Sequence, residues 1–108
     1  VRPIRSSLFE GIPDALHAEL TQRLAGRVGV RIERIVSRGH ASPEGFWYDQ
    51  GETEWVLLVR GAAKLRFEGE DELVEMAPGD YLTIPARARH RVEWTAPNQE
   101  TVWLAVFY

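Results

Sequence analysis

The sequence predicts a single all-β domain over residues 1–108, a sandwich or barrel with one short N-terminal helix. Three observations carry this. Apolar residues recur at every second position from Val28 onward; short apolar segments alternate with turn residues at close, even spacing; and the length suits one domain.

The helix is expected at about residues 14–25. Pro13 and Asp14 suit a helix start, Leu16, Leu20 and Leu24 recur every four residues, and Gly26 offers a stop. The barrel is expected over about residues 28–108. Its first strand alternates Val28, Val30 and Ile32 with Gly29, Arg31 and Glu33. Further strands are expected at Phe46–Asp49, Glu54–Arg60, Ala62–Glu68, Leu73–Met76, Asp80–Ile84, His90–Trp94 and Thr101–Tyr108. Turn chemistry separates them, including Ser42-Pro43-Glu44-Gly45, Arg60-Gly61, Pro78-Gly79-Asp80 and Ala96-Pro97-Asn98. The segments Glu54–Arg60 and Thr101–Tyr108 are apolar on both faces. One short helix is a small cover for two such strands, so a homodimer burying an outer face is expected.

Composition narrows the chemistry. Cysteine is absent, which removes disulfide scaffolds, thiolate metal sites and thiol nucleophiles. The formal charge is −3, and twelve of the thirteen basic residues are arginines, Lys64 being the exception. A net acidic chain makes a poor nucleic-acid ligand, and no apolar run approaches the ~20 residues that cross a bilayer. No signal-peptide core is present at the N-terminus, so a cytoplasmic location is expected. Arg87, Arg89 and Arg91 cluster beside a turn, where they either bind an anion or sit solvated. No phosphate-cradling loop or serine nucleophile elbow occurs.

A spacing remains. Six residues separate Glu54 from Gly61, five separate Gly79 from Pro85, and His90 lies five positions after Pro85. This resembles the two signature segments of the cupin superfamily, matched over roughly residues 39–94. The resemblance implies a jelly-roll β-barrel whose mouth often holds a metal, with Glu54 and His90 at ligand positions. The family's two first-segment histidines are replaced here. One alignment puts Trp47 and Asp49 in their places, and the other puts Tyr48 and Gln50 there. Indole offers no lone pair to a metal, so Asp49 or Gln50 remains as an oxygen ligand, with His40 a further candidate if its loop folds over the mouth. A His with one or two carboxylates suits Fe, Mn or Ni, and Zn less well.

Strand alternation places His90, Val92 and Trp94 on one face, so a polar end (Glu54, His90) would meet an aromatic wall of Trp94 with Trp47 or Tyr48. The Phe46-Trp47-Tyr48 segment reads equally as pocket wall or as core. Two functions from different classes stay open. One is a cupin binding a divalent metal and a small organic ligand, as an enzyme of unassigned reaction. The other is a metal-free binding or sensory domain, with Trp47, Trp94 and Arg87 holding a small anionic or aromatic ligand.

Overall fold

A computed structural model describes residues 1–108. Eight strands form: β1 Leu20–Arg27, β2 Val30–Ser37, β3 Glu54–Arg60, β4 Ala63–Phe67, β5 Val74–Met76, β6 Tyr81–Ile84, β7 His90–Thr95 and β8 Thr101–Phe107. They divide into a five-stranded sheet ordered β1-β2-β8-β3-β6 and a three-stranded sheet ordered β5-β4-β7. The two sheets face each other without closing into a barrel. Val56, Leu58, Trp103, Ala105 and Phe107 of the larger sheet meet Ala63, Leu65 and Met76 of the smaller one in a single apolar core.

Alternation explains which side chains face inward. In β3, Glu54, Val56 and Leu58 are buried while Trp55, Leu57 and Val59 point to the outer face. In β8, Trp103, Ala105 and Phe107 stand opposite Leu58, Val56 and Glu54 and share their side. Where β3 ends, Gly61 turns the chain from the larger sheet into β4 of the smaller one, with φ at 93°. Glu54 and His90 therefore come from different sheets, and their approach depends on this crossing.

The expected N-terminal helix does not form. Residues 20–27 pair with β2 along their whole length, from Leu20 opposite Val36 to Arg27 opposite Val30. Val28 and Gly29 make the hairpin turn between them, with Gly29 at φ 85°. Those ladder bonds outweigh the four-residue leucine period, and a bulge at Leu24 disrupts the strand alternation that would have revealed β1. Residues 1–19 form no regular element, and residues 8–10 lie against Arg34 on the outer side of β2. Buried Arg34 holds this segment by donating to the carbonyls of Leu8 (3.1 Å) and Glu10 (2.5 Å). Phe9 lies over the Arg60 guanidinium at 3.9 Å.

A second bulge corrects another expectation. Lys64 pairs with Trp94 and Leu65 with Val92, so Glu93 is an extra residue in β7. His90 and Val92 keep the inward side, but Trp94 turns out beside Lys64 (5.2 Å) and Thr95 takes the buried place. Trp94 is thus no part of an interior aromatic wall.

Candidate ligand-binding site

A cavity of about 210 Å³ opens between the sheets, with Glu54 and His90 in its lining. Glu54 begins β3, flanked across the ladder by Ile84 and Phe107. His90 begins β7 and is pinned from both sides. Its backbone exchanges hydrogen bonds with Tyr48 (2.7 and 3.2 Å), and its ring stacks between Tyr48 and Phe67 at 5.3 and 5.6 Å. His90 Nδ1 lies 2.9 Å from the Ala88 carbonyl, which has no proton to give, so Nδ1 carries the hydrogen. The free Nε2 then faces Glu54 Oε1 at 3.7 Å, beyond hydrogen-bond reach. Gln50 donates to the same Oε1 at 3.0 Å. Glu54 and His90 are 8% and 4% exposed, and walls such as Val56, Leu65 and Trp103 surround them with apolar surface.

The pairing of Tyr48 with His90 decides between the two alignments around residue 49. Tyr48 and Gln50 line the cavity, while Asp49 faces out and pairs with Arg87 at 3.4 Å. Trp47 also lies outside, 5.9 Å from the Arg89 guanidinium. Arg87 is solvated, and its one inward role is structural, its N–H donating to the Gln50 carbonyl at 2.7 Å. His40 belongs to a neighbouring cleft with His17 and Phe46. There its Nδ1 accepts the Arg38 N–H at 2.9 Å and its carbonyl accepts the Thr95 hydroxyl. Of the nine candidates, the structure brings Glu54, His90, Gln50 and Tyr48 together. Asp49, His40, Trp47, Arg87 and Trp94 stand apart from them.

Three lining residues escaped the sequence reading. Glu19 precedes β1 and shares the inward phase of Thr21; reading that stretch as a helix concealed it. Burial pushes its carboxyl above the ordinary value, and hydrogen bonds from Ser37 (3.2 Å) and Tyr48 (3.4 Å) offset part of that rise. Burial likewise raises the Tyr48 phenol to about 12, aided by the Glu19 charge. Arg31 and Glu33 alternate with apolar β2 residues and looked solvent-facing. The N-terminal segment covers the opposite side of β2, so these polar residues face the cavity instead.

The donor set does not make a metal centre. Glu54 and His90 converge, but no third His, Cys, Asp or Glu completes a group of three. Gln50 presents its amide nitrogen to Glu54, and nitrogen of that kind offers no lone pair. Catalytic zinc sites use about three protein ligands, and one imidazole with one carboxylate falls short of that.

Known relatives share this fold. The family profile for the cupin domain matches residues 35–107, and the chain belongs to that family. Among solved structures, a Ralstonia eutropha JMP134 protein provisionally named a mannose-6-phosphate isomerase is 48% identical, with a TM-score of 0.93 and 97% of each chain covered. A cupin superfamily protein from Desulfitobacterium hafniense DCB-2 is 18% identical, with a TM-score of 0.75 over 99% of this chain and 93% of that one. Protein plu4264 of Photorhabdus luminescens is 17% identical, with a TM-score of 0.72 over 100% and 88%. The last two likenesses concern the fold alone. A search of curated proteins gives no match.

Proposed function

We propose that this cupin domain binds a small organic molecule in the Glu54–His90 cavity without a resident metal ion. One observation carries the reading. His90 Nε2 accepts no hydrogen bond and Glu54 Oε2 has no partner, though both side chains are at least nine-tenths buried. Polar atoms left unpartnered and open to the cavity, on side chains otherwise withdrawn from water, are suited to a ligand's own donors and acceptors. The same atoms fit proton transfer, since Nε2 accepts a proton and the carboxylate steadies the resulting charge. Beside His90, the Tyr48 hydroxyl donates to Glu19, making a second hydrogen-bonded pair in the same cavity. Two such pairs lining one cavity suit an isomerisation by proton transfer, and the Ralstonia relative carries the provisional name of an isomerase.

Metal analysis of protein purified without chelator tests the metal-free part. We expect far less than one equivalent of Mn, Fe, Ni or Zn, even after metal supplementation. Near-stoichiometric metal that disappears in both Glu54→Ala and His90→Ala would overturn it.

A homodimer is proposed on separate grounds. Trp55, Leu57, Leu104 and Val106 form a half-buried apolar patch on the outer face of the larger sheet, and Tyr81 beside Trp55 is 64% exposed. A second copy covering this patch would appear as a dimer in sedimentation at micromolar concentration, and a monomer there would refute it.

A further inference from the structure

We propose that the cavity selects a small organic cation, a primary or secondary ammonium ion, and rejects anions, phosphate esters among them. This rests on the ligand-binding reading above and adds the sign of the ligand's charge. Three carboxyl groups line the cavity, those of Glu19, Glu33 and Glu54, against a single guanidinium, that of Arg31. Arg31 is already committed. Its Nε donates to Glu33 at 2.9 Å, its Nη1 reaches both oxygens of Glu52 at 2.5 and 2.7 Å, and its Cζ lies 4.0 Å from the centre of the Phe107 ring. An entering anion would have to displace two carboxylates from Arg31, and no other Arg or Lys lines the cavity.

The same geometry favours a cation. Glu54 Oε2 is an open acceptor on a side chain withdrawn from water, so an N–H of an ammonium group gives it a charge-assisted bond and a counter-charge together. Tyr48 and Trp103 add aromatic surface to the same cavity, which attracts a cation more strongly than a neutral ligand of equal size. A phosphorylated sugar, by contrast, calls for an unpaired guanidinium or ammonium that this cavity does not present.

Calorimetric titration of the chelator-treated wild-type protein with four probes tests this: butylamine, 1-butanol, butyrate and inorganic phosphate. The first three share one alkyl chain and differ in head-group charge. Butylammonium should bind at least about tenfold more tightly than 1-butanol, or about 1.4 kcal/mol. Butyrate and phosphate should not bind. Glu54→Gln should remove the preference for the amine, while Glu75→Gln, at an exposed position outside the cavity, should keep it. The double variant Glu33→Gln/Glu52→Gln frees Arg31 and should gain phosphate binding. Equal affinity for amine and alcohol would overturn the charge selection and leave the ligand-binding reading standing. Phosphate or butyrate binding to wild type that Arg31→Ala abolishes would reverse its sign. If none of the probes binds, the proposal falls, and the ligand-binding reading falls with it. The wild-type comparison decides the matter even if a variant fails to fold.

Discussion

Replacing Gly61 by alanine should destabilise the domain by about 3–5 kcal/mol. Two effects add at this position. Its φ of 93° lies where an L side chain is strained, worth about 1–2 kcal/mol. A Cβ there would also meet Thr101 Cα at 2.6 Å, Glu100 O at 2.7 Å and the Thr101 hydroxyl oxygen, of which the first two are backbone and cannot rotate aside. Overpacking of that kind adds about 1–3 kcal/mol, and rigid neighbours place it toward the upper end. The clash falls where the chain leaves β3 for β4, at the end of β3 away from Glu54. Gly29→Ala is the control. Gly29 has a similar φ of 85° but no atom within 4 Å of an added Cβ, so only the backbone strain applies. Urea unfolding reads both. With a slope of about 1–3 kcal/mol per molar, the Gly61 variant should lose well over half a molar more in midpoint than the Gly29 variant. Equal losses for the two variants would refute the claim that the sheet crossing is tightly packed at Gly61.

The tryptophans supply a second contrast. Trp103→Ala empties a core position that is 3% exposed and should lose about 3–5 kcal/mol, whereas Trp94→Ala, 38% exposed, should stay within about 1 kcal/mol of wild type. Similar losses for both in urea unfolding would restore Trp94 to the interior and remove the bulge at Glu93 from the account. Glu19 predicts a pH dependence. Burial raises its carboxyl in the folded protein above the ordinary 4.5, so the folded state holds that proton more tightly than the unfolded chain. The resulting stabilisation is complete below the unfolded value and is lost as pH rises through the folded one. The stability of wild type minus that of Glu19→Gln should therefore fall as pH rises above the ordinary carboxyl value of 4.5 in urea unfolding. A difference that is flat or rises with pH would contradict the buried position of Glu19.

Much of the fold was legible because its determinants are local. Strands β3 to β8 follow alternation and turn residues closely, and Glu54, Gly61, Gly79, Pro85 and His90 keep a recognisable spacing. What escaped depends on pairing between distant segments. β1 carries a leucine period that suits a helix, and only its partner β2 makes it a strand. One extra residue, Glu93, reverses Trp94 without leaving a mark in the pattern of residue types. Whether Trp47 and Asp49 or Tyr48 and Gln50 face inward is decided by the backbone bridge between Tyr48 and His90, which lie far apart in the chain. The polar side of β2 looked like a solvated face until the N-terminal segment was seen to cover the other side.

Two side chains carried by opposite sheets, an imidazole and a carboxyl group, are held within contact range in a sheltered interior, and nitrogen-detected NMR of the histidine side chains probes this most directly. The account predicts a His90 imidazole protonated at Nδ1, with an Nε2 resonance that shifts in Glu54→Gln while those of His17 and His40 stay in place. A His90 signal that resembles the exposed His17 and ignores the Glu54 substitution would contradict it.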